Sequence, residues 1–196
     1  MMVMRVTNNN DIINKAIIYA TKHHEGVCRK GKTYPYIIHP LEVMSIVASI
    51  TEDKDLICAG ALHDLIEDTD VTYEDIKREF NEHIANIVAH ESQNLLPGYR
   101  EDLTWKEIKE LQINNLKNES LEVKIVALGD KLSNMKAIYN DKCRMGDKVW
   151  DLFHENDPRL HKWRFEKLVS CFDELKDTLA YLEFKQLVIK TFEGVN

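Results

Sequence analysis

The sequence predicts an all-α fold, a helical bundle formed as a single domain over residues 1–196. Three observations predict it. Apolar residues recur at helical spacing along nearly the whole chain. Capping residues (Asn, Asp or Thr) stand at the head of several of these stretches. Glycine and proline are sparse, at seven and four residues, so few turns are available to punctuate short strands. A chain of 196 residues is long enough to bury one sizeable core and too short for two comfortable ones.

The first helix is read from NNDIINKAIIYATKHH, where Ile12, Ile13, Ala16, Ile17 and Ala20 form one apolar stripe behind an Asn/Asp start. HPLEVMSIVASI opens a second, with Pro40 at the first helical position, where its missing N–H is not needed. DKDLICAGALHDLIED reads as a third, continuous helix, apolar nearly all round in its first half and so buried on most sides. TYEDIKREF starts with the capping-box pair Thr72 and Asp75, and EHIANIVAHES gives another helix. LLPGYRED is a loop around a Pro-Gly turn. Thr104 and Glu107 cap a helix reaching Leu116. SLEVKIVALGDKLSNMKAIY is long and mostly apolar on one side, which places it at the centre. Three more helices follow, with breaks near Gly146 and Asp157-Pro158.

Hydrophobic content of 44% with 30% charged residues is that of a globular chain. The net charge of −7 argues against a general nucleic-acid binder, although a few local cations suffice for a small phosphorylated ligand. The four cysteines form no C-x-x-C pair, which favours a reducing cytoplasm. The first ten residues have no signal-peptide pattern, and no apolar run reaches bilayer length, so no membrane partner is expected.

One stretch stands out. ALHDLIEDTD, residues 61–70, holds a histidine and four acids directly after the apolar run LICAGAL. Helical spacing pairs His63 with Glu67 and Asp64 with Asp68 on a polar stripe, and Leu62, Leu65 and Ile66 occupy the other side. Such a stripe is either a solvated face or the wall of a site. Acids so close together repel one another unless a cation sits among them. Two residues elsewhere are candidates to share that cation: His39, fixed before Pro40, where the backbone favours an extended conformation, and Asp130. The latter lies in an otherwise apolar helix, where an unpaired carboxylate is costly and a neighbouring lysine is the ordinary partner. Two histidines and two aspartates make an N/O set suited to manganese, iron or another divalent ion.

His39, the pair His63-Asp64 and Asp130 resemble the H…HD…D pattern of the HD-domain metal-dependent phosphohydrolases. RKGKTYPYIIHPLEV, AGALHDLIEDT and ALGDKLSNM are similar to three signature segments of the RelA/SpoT-type hydrolases, which remove the 3′-pyrophosphate of (p)ppGpp. The resemblance runs from about Ala16 to Ala137. It implies an HD-domain helical bundle with His39, His63, Asp64 and Asp130 as metal ligands and manganese as the ion. It also implies Glu67 and Asp68 as the acidic pair that orients or deprotonates water, and Arg29, Lys30, Lys109 and Asn134 as contacts to a phosphorylated nucleotide. Without the resemblance, Arg29, Lys30 and Lys32 read equally well as a solvated turn, and Tyr34 and Tyr36 as packing beside Pro35.

The chain departs from that pattern at several points. Gly129 stands where alanine is usual, a change expected to loosen its helix. Ala137 replaces a threonine, and Arg164 with Phe165 replaces an aromatic pair. HESQNLLPGYRED replaces an acidic segment. The chain also ends where bifunctional members continue into a synthetase domain, so no synthetase activity is expected. The metal core is intact while the nucleotide pocket is altered. Two other readings stand beside alarmone hydrolysis: an HD-type phosphatase or nucleotidase for another small phosphoester, and a nucleotide sensor without turnover.

Overall fold

A computed structural model describes residues 11–92 and 103–195, and the predicted LLPGYRED loop lies outside them. Among the described residues there is no strand, only helices, 3₁₀ turns, connecting loops and one isolated bridge between Cys28 and Pro35. The all-α prediction holds.

Helix α1 (Ile12–His23) starts at Asp11, whose carboxylate accepts the Ile13 N–H at 3.0 Å. Helix α2 (Ile38–Ile50) begins two residues before Pro40. Pro40 therefore stays in the first turn, where N–H groups have no helical acceptor anyway, and His39 is helical rather than extended. The Tyr36 carbonyl accepts the His39 N–H at 2.9 Å and turns the chain into the helix ahead of the proline.

Helix α3 (Lys54–Leu62) is buried from Leu56 to its end, as its apolar composition requires. The predicted continuous helix is instead broken at His63-Asp64, and a single turn, α4 (Leu65–Asp68), follows. The Gly60 carbonyl, which an unbroken helix would offer to the Asp64 N–H, accepts from His63 Nδ1 at 3.0 Å. This side-chain bond sits at the point where the helix breaks.

Helices α5 (Tyr73–Glu79) and α7 (Trp105–Lys117) carry the two predicted capping boxes in full, and α6 (Glu82–Ser92) lies between them. The 25-residue α8 (Leu121–Met145), capped by Ser120, is central. It packs on α2 and on α10 (Leu179–Thr191), and also meets α3 and α6. A 3₁₀ segment (Gly146–Leu152) leads from α8 towards α9 (Pro158–Cys171), which Asp157 caps with Pro158 at its first position. Both predicted breaks are therefore present.

Two glycines set how closely the central helices approach. A Cβ built on Gly129 of α8 would stand 3.1 Å from Val47 Cγ2, 3.2 Å from Val43 Cγ1 and 3.3 Å from the Val43 carbonyl. One built on Gly60 of α3 would stand 3.2 Å from the same Val47 methyl and 3.1 Å from Met44 Cα. Val47, fully buried, is thus held between the two glycines. Gly129 does not loosen its helix; it lets α2 press against it.

Candidate metal centre and adjoining cleft

Each of the three closely packed helices ends or crosses at one point. His39 arrives in the first turn of α2, His63 and Asp64 at the break after α3, and Asp130 from the middle of α8. Donor atoms of His39, His63 and Asp130 all lie within 4.8 Å of one another, and all three residues are buried. Asp130 Oδ1 stands 3.1 Å from His39 Nε2 and 3.7 Å from His63 Nε2. Asp64 Oδ2 stands 3.0 Å from His63 Nε2 and 3.6 Å from His39 Nε2. The four predicted ligands are together.

Both rings are turned by their outer nitrogens. His63 Nδ1 donates to the Gly60 carbonyl, and His39 Nδ1 lies 2.8 Å from the Ser133 hydroxyl, which itself donates to Glu42 at 2.7 Å. This fixes both tautomers so that the Nε2 lone pairs converge on two carboxylates. Lone pairs facing carboxylate oxygens repel unless positive charge lies between them. Burial lowers the His39 pKa, whereas at His63 the downward push of burial is outweighed by Asp64 and then Asp130, which raise it. For Asp64 and Asp130 burial acts upward, but His63 on Asp64, and Lys131 and the histidines on Asp130, hold both below the ordinary carboxylate range. Two imidazoles and two carboxylates around such a point fit a divalent metal ion.

Asp130 uses its other oxygen differently: Lys131 Nζ donates to Oδ2 at 2.5 Å. The neighbouring-lysine partner and the site role foreseen for this residue are both present, one on each oxygen.

Glu67 and Asp68 lie on α4, one turn past the ligand pair, and are exposed. Packing around them and the Asp64 charge raise both pKa values, suiting carboxylates that take up a proton. Neither lines the cleft described next. Tyr36 meets the cluster directly: its hydroxyl donates to Asp64 Oδ2, and its ring packs 4.9 Å from that of His24 and 5.7 Å from that of His39. Tyr36 is therefore more than packing beside Pro35.

A cleft of about 340 Å³ opens beside His39, Asp64 and Asp130. Arg29, Lys30 and Asn134 line it, as the sequence predicted, but Lys109 does not; it faces a neighbouring, smaller cavity. Arg29 donates to Asn134 Oδ1 at 2.7 Å, and Asn134 donates to Asp130 Oδ1 at 2.5 Å, so the cationic loop is wired to the His-Asp cluster through one amide. Lys32 pairs with Asp141, which Arg144 also holds. Gly31, at φ 71°, makes the turn that brings Arg29 and Lys32 to the same wall. Phe153, His161 and Phe165 close the far side. Ser133, Glu42 and Tyr36 were not identified as site residues from sequence. The legible signal was spacing, since Ser133 lies one turn from Asp130 and Glu42 one turn from His39.

A model of the HD domain matches residues 16–154. The chain belongs to the HD-domain family. That match spans His39, His63, Asp64 and Asp130 of the cluster, and Arg29 and Lys30 of the loop. Relatives include a GTP pyrophosphokinase of Myxococcus xanthus, 33% identical over 134 residues, 65% of this chain and 17% of that protein. Another is guanosine-3′,5′-bis(diphosphate) 3′-pyrophosphohydrolase of Aquifex aeolicus, 29% identical over 187 residues, 93% of this chain and 25% of that protein. The HD domain thus spans a quarter or less of the length of these relatives. Its fold is shared with a solved metazoan SpoT ortholog described as hydrolysing ppGpp, at a TM-score of 0.75 and 21% identity over 97% of this chain and 100% of that one. Among the described residues no helix is long and apolar enough to cross a membrane.

Proposed function

We propose that the chain is a cytoplasmic, manganese-dependent phosphohydrolase that removes the 3′-diphosphate of (p)ppGpp as pyrophosphate. The observation that carries this reading is the direct wiring of a His-His-Asp-Asp centre to a cationic cleft through Asn134. The names of the Aquifex aeolicus relative and of the metazoan structure support the choice of substrate.

His39, His63, Asp64 and Asp130 would hold the ion, which when bound supplies positive charge to polarise a phosphoryl oxygen and acidify water. The chain's own groups do the rest. Arg29 and Lys30 bind the nucleotide, the guanidinium by stacking on the base or by its fork to phosphate. Glu67 and Asp68, whose raised pKa values keep them basic enough, take the proton of the attacking water. Water oxygen bonds to the phosphorus nearest O3′, the P–O3′ bond breaks, O3′ takes up a proton, and pyrophosphate leaves.

The test is release of pyrophosphate from ppGpp with manganese. Asp64→Ala and chelator treatment should each abolish it, and full activity in either sinks the mechanism. Release of orthophosphate from other phosphoesters, with ppGpp untouched, would replace the substrate and keep the chemistry.

A further inference from the structure

Arg164 lies on α9, outside the stretch that the HD-domain model matches. Its side chain lines both the cleft and the smaller cavity, a space of about 50 Å³ between α6, α7, α8 and α9. The two spaces share two lining residues, Lys131 and Arg164, and Lys109 faces the smaller one.

These three cations differ in what balances them. Lys131 is committed to Asp130 at 2.5 Å and Glu91 at 3.6 Å. Lys109 Nζ donates to the neutral Gln112 at 2.8 Å. Arg164 has no carboxylate within ion-pair reach among the described residues, and its guanidinium stands 5.5 Å from the Phe165 ring centre. The charges sense one another: burial pushes Lys109 down to about 8, and Arg164 and Lys131 add to that push. Of the other cations of the cleft wall, Arg29 donates to the neutral Asn134 and Lys32 pairs with Asp141, while Lys30 has no ion-pair partner among the described residues.

A half-buried guanidinium with no direct ion pair, balanced only by the longer-range attraction of Asp130, is costly, and its planar fork matches phosphoryl oxygens. At about 10–15 Å³ per water, the smaller cavity holds a few waters, the scale of one phosphoryl group. We propose that Arg164, with Lys109, holds the distal phosphoryl group of the substrate's diphosphate, and so selects a diphosphate ester over a monophosphate ester. This rests on the hydrolase reading above. In that reaction the half of the pyrophosphate held by Arg164 is the half that makes and breaks no bond. Arg164 is a binding residue that distinguishes substrates by their terminal charge.

The experiment compares wild type, Arg164→Gln and Arg164→Lys in the manganese-loaded protein, using calorimetric binding of inorganic pyrophosphate and orthophosphate beside ppGpp kinetics. Arg164→Gln should weaken pyrophosphate at least tenfold and orthophosphate less than twofold, with KM for ppGpp rising more than kcat falls. Arg164→Lys should recover part of the loss. Pyrophosphate affinities within twofold between wild type and Arg164→Gln overturn the proposal, even if ppGpp hydrolysis is intact. If wild type hydrolyses no ppGpp but binds pyrophosphate through Arg164, the subsite stands and the alarmone reading falls. Lys109→Met carries the same comparison should Arg164→Gln not fold, with unchanged pyrophosphate binding again the overturning result.

Discussion

His39 Nδ1 on α2 lies 2.8 Å from the Ser133 hydroxyl on α8, and that hydroxyl donates onward to Glu42 at 2.7 Å. A serine one turn from Asp130 thereby decides which nitrogen of a histidine on another helix points inward. Ser133→Ala should weaken manganese binding by about 10–100-fold, the usual effect of removing such a partner. Isothermal titration of the chelator-stripped protein measures it. An unchanged Kd would mean that packing alone orients His39.

Tyr36 places its hydroxyl on Asp64 from outside the ligand set. In Tyr36→Phe the ring contacts with His24 and His39 remain and only the donor is lost. We expect metal affinity to fall by about tenfold and stability by about 1–3 kcal/mol, since a half-buried carboxylate loses a partner. Titration and urea melts of the two proteins report the two effects separately.

Gly129→Ala sets helix propensity against contact. Alanine gains about 1 kcal/mol of propensity over glycine in a helix interior. The added methyl meets two valine side chains and, at 3.3 Å, a carbonyl of α2 that belongs to a helical ladder and cannot turn aside. Overpacking of this kind costs about 1–3 kcal/mol, so net destabilisation is expected. A melting temperature above wild type would show that α2 yields.

Lys109 gives the chain a pH signature. Its pKa falls from the usual 10.5 to about 8, so between these values the unfolded chain holds a proton that the folded one has lost. Stability from this group therefore rises as pH climbs from about 8 towards 10.5 and is least below 8. Lys109→Met should lack that rise, so its melting temperature should gain less than wild type between pH 7.5 and 10 by about a few degrees. Parallel curves would place the lysine in ordinary solvent.

The helices were legible because caps and periodicity are local: Thr72 with Asp75 and Thr104 with Glu107 announce themselves within four residues. That His39, His63, Asp64 and Asp130 come together was foreseen mainly through the resemblance, because spacings this long leave no local signal. The break at His63-Asp64 was not foreseen, and the side-chain bond to a backbone acceptor that sits there is something periodicity cannot register. Gly129 was misread for a related reason. Its consequence lies in Val43 and Val47 of another helix, more than 80 residues away in sequence. Ser133 and Glu42 are commonplace residue types whose roles exist only once α2 and α8 touch, and that of Tyr36 only once the entry to α2 meets the break after α3.

Val47 carries no chemistry, yet one of its methyl groups rests against Gly60 on one side and Gly129 on the other. The helices so spaced carry His39, Asp130 and, at the end of α3, His63. The spacing of the His-His-Asp cluster is therefore calibrated by a valine and two hydrogen atoms where side chains would normally begin. That spacing is adjustable from the core: trimming Val47 or thickening either glycine retunes the gauge without touching any residue of the cluster.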